Sequence, residues 1–412
     1  MLNFSNFLAE DKGGKNLHLE HIEDEILNFG IDGARGSINF VRSLRDMLAG
    51  ANRSSVNMTV KWDGAPAIFA GTDPSDGQFF VAKKGVFNKN PKVYKTDADI
   101  DADTSGDLNT KLKLALKYLP DLNIKGVIQG DFLFAKRDLK KQKVQGKSYI
   151  TFHPNTIVYA VPTDVPLARE ISKAKIGIVW HTKYTGNSFE TMKSSFGENI
   201  ANSLTSSNAV WSVDAEYKDV SGNATLTKKQ TKEITDILSN AGKVFNKIDA
   251  AGLNGISDNS ELLMRMKTFL NTKVRKQEKV TNVKKAVTDM IDYFHGYYQI
   301  ETEKRKSEKG KAAVDERKRE VMKYFSDTNR ANLENILTLM NLMVDAKEIL
   351  IKQMNKVKSL DTFLLTDKGF KATGQEGFVA IDRVGKNAVK LVDRMNFSYA
   401  NFSPEVKKGW QR

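Results

Sequence analysis

Lys61 lies two residues before an Asp-Gly turn, in Val60-Lys61-Trp62-Asp63-Gly64-Ala65-Pro66-Ala67. A strand-like run, Val56 to Val60, leads into it, and an apolar run, Ala67 to Ala70, comes directly after. The lysine is expected to project from a strand end, where a tight turn can lead a ligand's phosphates to its amine. An amine becomes a nucleophile only when burial or neighbouring cations depress its pKa. Lys83, Lys84, Lys386 and Lys390 are the residues expected to supply that cationic field. In a chain this rich in lysine, Lys-x-Asp-Gly alone is a weak signal. It gains weight from four further motifs nearer the C-terminus and from their order.

The first of these, Gly126 to Phe134 (GVIQGDFLF), places Asp131 in the middle of an apolar strand. A buried acid there is costly unless it is paired or bound to something, and the bland alternative is a solvated acid at a bulge. Ile176 to His181 (IGIVWH) ends in Trp180 and His181, two rings that could stack on a base or simply pack in a core. Glu376, in Gln375-Glu376-Gly377-Phe378-Val379, stands directly before a strand. It could hold a divalent cation together with water and phosphate oxygens, or it could be a plain Glu-Gly turn. Lys386 and Lys390 sit four apart around a hairpin turn. Lys390 lies inside Ala388-Val389-Lys390-Leu391-Val392, where it needs an anion or an open sheet edge.

These residues need strands to hold them. Short β-branched and aromatic runs alternate with turns from Val56 to about Tyr184, with one helix inside, Thr110 to Leu119. The pattern is α+β with an antiparallel bias. Two helices are expected before it, Leu17 to Phe29 and Ile38 to Leu48. After about Ala215 the chain reads as helical and charged: Thr227 to Ile248, Asn259 to Thr272, Val283 to Tyr298, Glu301 to Phe325 and Asn332 to Lys356. Strand signal then returns as a hairpin, Gly377 to Arg383 and Ala388 to Arg394, around Gly385-Lys386-Asn387. The expected parse is residues 1–50 as helices packing on the catalytic domain, and 51–214 with 366–412 as one sheet domain. Residues 215–365 form a basic helical insertion within it.

The 412 residues are 40% hydrophobic, enough for a sizeable core and two or three domains. The net charge of +14 points to a polyanionic partner. Between Glu261 and Arg330, 18 Lys or Arg face 11 Asp or Glu, so half of that excess lies in the helical segment. It reads either as a surface for phosphate backbones or as the solvated faces of a helical bundle. No apolar stretch is long enough to span a membrane, and the N-terminus lacks a signal-peptide layout. With no cysteine and five histidines, disulfides and cysteine-ligated metal are excluded and a histidine-rich metal site is not expected. A cytoplasmic setting fits.

In chain order the signals are Lys-x-Asp-Gly, Gly-Asp between apolar strands, a strand ending in aromatics, Glu-Gly-Phe-Val and Val-Lys-Leu-Val. That is the series seen in covalent nucleotidyltransferases, and from Lys61 to Val392 the chain resembles that superfamily. It comprises ATP- and NAD-dependent polynucleotide ligases and mRNA capping enzymes. The flanking HLEHIEDEILNFG, KWDGAPAIFAG, FNKNPKV and FHPNTIVYAVP are most similar to uncharacterised bacteriophage proteins of RNA-ligase type. The resemblance implies an ATP-grasp-like antiparallel-sheet nucleotidyltransferase domain. Lys61 would attack the α-phosphate of ATP (or GTP) and form a lysyl-nucleotide. Asp63 and Gly64 would shape its turn. Asp131 stands where the superfamily has a glutamate for ribose or metal. Trp180 or His181 would stack on the base, Glu376 would bind Mg²⁺ (or Mn²⁺), and Lys386 and Lys390 would neutralise phosphates. Lys83 and Lys84 fall where a basic residue often comes after the nucleophile's strand.

The chain departs from the pattern in places. Pro66 stands after Ala65 where many DNA ligases have arginine, Asp131 is one methylene short, and about 190 residues separate His181 from Glu376. With about twenty residues after Val392, a C-terminal OB-fold is not expected. The expectation is therefore an ATP-dependent polynucleotide ligase, acting on RNA rather than DNA, with the basic insertion on nucleic acid. The alternatives are a DNA ligase or other nucleotidyltransferase of the same chemistry, or a non-catalytic nucleic-acid-binding protein on the same fold.

Overall fold

The amphipathic run near the start of the chain breaks at Gly30. A computed structural model describes residues 19–50, 56–197, 199–217, 223–357, 360–382 and 388–411. It has a single helical turn, α1 (Glu25–Asn28), and then a long helix, α2 (Gly30–Leu48). Leu17 and His18 lie outside the described residues, and from Leu19 on the expected helix is only its last turn. Ahead of it the backbone runs along a strand edge, where His21 bridges to Lys390. Helix α2 begins well before the expected Ile38.

The strand-rich region holds β1 (Val56–Lys61), β2 (Ala67–Thr72), β3 (Phe79–Ala82), α3 (Asp97–Asp103), α4 (Gly106–Tyr118) and β4 (Val127–Ala135). It continues with β5 (Lys140–Val144), β6 (Lys147–Phe152), β7 (Ile157–Pro162), α5 (Pro166–Lys173), β8 (Ile176–Thr185), β9 (Lys193–Phe196) and β10 (Val210–Asp214). Strand β5 (KKQKV) carries no apolar alternation. It is an edge strand with exposed lysines, which protect the edge from pairing with another chain.

The insertion consists of α6 (Lys228–Phe245), α7 (Ala250–Ser257), α8 (Ser260–Arg275), α9 (Val283–Glu303), α10 (Glu308–Met322) and α11 (Asp327–Met354). Helix α7 is not expected from sequence, because AAGLNGIS contains two glycines. Asp249 caps it by accepting from Gly252 N at 2.6 Å, and Leu253 and Ile256 are buried. The chain then returns through β11 (Asp361–Thr366), β12 (Gly369–Ala372), β13 (Gly377–Asp382), β14 (Ala388–Leu391) and α12 (Arg394–Phe402). The expected boundary at 365/366 falls inside β11, whose pairing with β7 puts the return to the sheets near Asp361.

Strand orders are β1-β13-β14, β10-β8-β4-β2-β3 with β9 beside β8, and β12-β11-β7-β6-β5. The protein is α+β with mainly antiparallel pairing. The pair β8 and β10 is parallel, against the antiparallel expectation. One core joins α2 and the insertion helices to one face of the first sheet: Leu44, Leu238, Met343 and Leu350 meet Met58, Phe378 and Leu391. Helix α2 therefore belongs to the helical bundle as much as to the sheets. A second core packs α4 on β2, β4 and β8. A third, around Trp62, Leu133, Tyr159 and Val179, joins the second and third sheets. The site lies where the first sheet meets the other two.

A buried ionic network holds the hairpin to the bundle. Lys347 Nζ of α11 donates to both oxygens of Glu23, at 2.6 and 2.7 Å. Arg394, at the start of α12, donates to Asp24 Oδ1 at 2.8 Å and lies 3.5 Å from Glu23. The next acid, Glu25, is 2% exposed; among the described residues no cation is in contact with it and its Oε2 lacks a partner. Burial pushes its carboxyl up to about 8, against the Asn28 hydrogen bond and with help from Glu20 and Asp24. The folded chain therefore keeps a proton there that the unfolded chain releases near 4.5. Stability should fall as pH rises from about 4.5 to about 8. Glu25→Gln is expected to match the wild type at acid pH and to exceed it by about 2 kcal/mol at alkaline pH, measured by urea unfolding.

Candidate functional site

Strand β1 delivers Lys61 to the seam between sheets. It pairs with β13 so that Lys61 faces Gly377, which puts Glu376 beside the lysine. Lys61 Nζ donates to Glu376 Oε1 at 2.5 Å, across 315 residues of sequence. Glu376 is nearly buried, while the lysine keeps 35% of its side chain exposed. The loop after Lys61 is pinned from both sides. Trp62 packs on Tyr159 with ring centroids 5.0 Å apart. The Asp63 carboxylate accepts from Asn155 Nδ2 (2.6 Å), Thr156 N (2.6 Å) and Ile157 N (2.7 Å), and the Asp63 N–H donates to the Tyr159 hydroxyl oxygen (2.7 Å). Asp63 is thus a positioning residue with its acceptors engaged. Gly64 lies against β4, where a Cβ would come within 2.5 Å of Asp131 Cβ, so no larger residue fits. The main chain then docks on the strand, Ala65 N to Phe132 O and Phe132 N to Pro66 O, both at 3.0 Å.

The β4–β8 ladder slips between Gln129 and Gly130. Gln129 pairs with Thr182 and Gly130 with Trp180, which leaves His181 as the extra residue of a bulge. His181 Nε2 lies 3.8 Å from Asp131 Oδ2, and Nδ1 is 2.7 Å from Thr182 Oγ1. Trp180 points the other way. It is fully buried in the core under α4, and Gly130 makes space for its ring, since a Cβ there would lie 2.7 Å from Cε3. Of the two rings expected at the base, the structure brings only His181 to the site.

Lys390 stands opposite Val379 on β13, which in turn faces Thr59, so it shares the sheet face that carries Lys61. Its backbone N–H donates to Glu20 O, and among the described residues its ammonium makes no hydrogen bond. Burial, with Lys61 and Arg394 and against Glu20 and Asp24, holds it below the ordinary lysine range. Lys386 lies outside the described residues. The other expected cations are elsewhere. Lys83 Nζ donates to Asp103 Oδ2 at 2.9 Å and lies over Tyr94, a ring of the α4 core on the far side of the second sheet. Lys84 is exposed on the turn after β3.

The charge balance differs from the expectation as well. Burial lowers the Lys61 ammonium, but Glu376, Asp131 and Asp63 more than offset it and leave it above its ordinary value. The acids move in turn. Burial raises Glu376 to about 7 against Lys61, and raises Asp131 to about 7 with help from Glu376 and Asp63. Burial and Lys61 lower His181 to about 4, so its ring is neutral near pH 7.

Residues 16–407 match the model of a family of unknown function, DUF6267. The chain belongs to this family. Comparison with curated proteins gave no match, and neither did comparison with solved structures.

Two features of this DUF6267 chain bear on a metal. Glu376 Oε2 is buried without a partner among the described residues, and both carboxylates at the site are held near 7 by burial and neighbouring acids, Asp63 for Glu376 and both Glu376 and Asp63 for Asp131. Each would be relieved by a hard cation. Among the described residues no three His, Asp or Glu side chains gather as a metal group. Two carboxylates are what the chain offers, and water and phosphate oxygens would complete the shell. The family chain's Asn155, Thr156 and Arg394 are not expected at or near the site from sequence. Pro154-Asn155 signals a turn, but nothing local says that the turn holds Asp63.

Proposed function

We propose that this chain is an ATP-dependent polynucleotide ligase, acting on RNA in preference to DNA, on an ATP-grasp-like nucleotidyltransferase fold. The contact that carries the proposal is Lys61 on Glu376, with Asp131, His181 and Lys390 around it. A binding module has no need for a lysine tied to a buried acid that is itself poised near 7.

Lys61 Nζ attacks the α-phosphorus of ATP. The bond to pyrophosphate breaks, and the amine's protons pass to Glu376 and to solvent. Glu376, 2.5 Å away, is the group positioned to accept the first. Lys390, whose ammonium makes no hydrogen bond among the described residues, offsets phosphate charge. Asp63 and Gly64 fix the nucleophile's turn. Mg²⁺ or Mn²⁺ on Glu376 and Asp131 would neutralise the phosphates. AMP then passes to a 5′-phosphate end, and a 3′-hydroxyl displaces it.

The test is incubation with Mg²⁺ and ATP or GTP labelled with ³²P at the α-phosphate, then a denaturing gel. Covalent label names the donor. Its absence in protein first cleared with pyrophosphate would move the weight to a non-catalytic nucleic-acid-binding protein. Trp180 and His181 should part company. His181→Ala is expected to weaken ATP binding about tenfold with little change in stability. Trp180→Phe should cost about 2 kcal/mol in urea unfolding and leave ATP affinity unchanged. Equal effects on affinity would refute the assignment of the ring.

A further inference from the structure

Beyond Glu376 the site opens into a groove of about 620 Å³ between α11, the chain leading from β12 to β13, and α12. Of its four acids, Asp63, Glu348 and Asp393 are hydrogen-bonded, and Glu376 is held by Lys61 through Oε1 alone. Glu348 accepts from Lys279 at 3.1 Å through both oxygens, and Asp393 caps α12 through Met395 N and Asn396 N. Lys352 of α11 and Lys371 of β12 are exposed, and among the described residues neither meets a carboxylate. Lys371 lies over the Tyr399 ring at 5.4 Å. Elsewhere in the bundle many lysines are paired, as Lys273 is with Asp289 and Lys304 with Glu301. Lys352 and Lys371 thus give the groove two unpaired cations that phosphates can meet.

Gln375 adds an independent sign of a ligand. It lines the groove, is 7% exposed, and its Oε1 is buried with no donor among the described residues. Its backbone is fixed by Asn355 Oδ1, which accepts from Gln375 N at 3.0 Å. A buried amide oxygen without a donor is unfavourable, and a hydroxyl arriving in the groove would satisfy it.

We infer that this groove receives the 5′-phosphorylated end of an RNA strand. Lys352 and Lys371 hold its phosphates, and Gln375 Oε1 accepts from a ribose 2′-hydroxyl. The inference rests on the transfer proposed above and places the receiving strand beside Glu376. In that step a 5′-phosphate oxygen bonds to the phosphorus of lysyl-AMP. The P–N bond to Lys61 breaks, and Nζ keeps the electron pair and takes up a proton. Lys61 and the strand then approach the phosphorus from different sides, the lysine from β1 and the strand from α11.

The experiment measures anisotropy of a labelled 5′-phosphorylated 12-nucleotide RNA, and of DNA of the same sequence, on the full chain. The wild type should prefer RNA. The double variant Lys352→Ala/Lys371→Ala should weaken both strands about tenfold and flatten the salt dependence. Gln375→Met should bring RNA down to the DNA affinity and leave DNA unchanged. Double-variant binding within twofold of the wild type, or equal losses for RNA and DNA in Gln375→Met, would overturn the groove. Thermal melts exclude unfolding as the cause. Covalent labelling of the wild type is scored separately. It tests the nucleotide transfer, whereas the RNA-to-DNA ratio tests the groove.

Discussion

A Lys61→Ala chain incubated with Mg²⁺ and α-labelled ATP is expected to carry no covalent label where the wild type does. Lys61→Arg should be equally blank, because a guanidinium keeps its charge but cannot lose the proton that an attacking nitrogen must lose. Glu376→Gln removes both the negative charge opposite Lys61 and the proton acceptor. It should slow labelling about a hundredfold or more. The pH profile separates this from a folding defect. Lys61 is held above its ordinary value chiefly by Glu376 acting against burial. Labelling by the wild type should therefore climb into the alkaline range. In Glu376→Gln burial is less opposed, the amine titrates lower, and the rise should begin at lower pH although the maximum rate is smaller. A profile unmoved by the substitution would show that Glu376 does not govern the lysine's proton. Label persisting in Lys61→Ala would place the nucleophile elsewhere.

The parts of this arrangement that are legible in sequence are those written locally. The strand before Lys61, the strands of the C-terminal hairpin and the apolar run around Asp131 all announce themselves by alternation and turns. What alternation cannot supply is the face of a strand once a bulge intervenes. Trp180 and His181 are adjacent, and the slip at Gln129/Gly130 decides which ring reaches the site. Lys83 fails for a similar reason, since its partner Asp103 sits with α3 and α4 on the other face of the sheet. The Lys61 shift has the opposite sign to the one expected. Cations can be counted along the sequence, but the acids that dominate, Glu376 and Asp131, arrive from other strands. The N-terminal acids show the same limit. Glu23, Asp24 and Glu25 read as the polar side of an amphipathic helix, yet all three are buried. The cations of the first two, Lys347 and Arg394, lie more than 300 residues away.

That buried network yields the second large effect. Lys347→Met should destabilise the protein by about 3–5 kcal/mol, because it leaves Glu23 charged in a site closed to water. Lys347 and Glu23 are 1% and 2% exposed, and the remaining cation, Arg394, is 3.5 Å from Glu23 and already engaged by Asp24 at 2.8 Å. The network also sets the sign of the pH dependence. In the wild type burial raises the Glu23 carboxyl, but Lys347 and Arg394 together hold it below 4.5. Its contribution is present above that value and lost as pH falls through the lower folded one. Without Lys347 burial prevails, the folded value moves up, and the damage should be greatest at neutral pH and shrink toward acid. The double variant Lys347→Met/Glu23→Leu should recover most of the loss, since the cost lies in the orphaned charge and not in the missing attraction. Urea unfolding at neutral and acid pH checks all three. Arg394 joins this network directly after the hairpin that carries Lys390. A Lys347→Met chain that remains folded in the cold should therefore also label more slowly, while its Lys61–Glu376 contact within the first sheet stays intact.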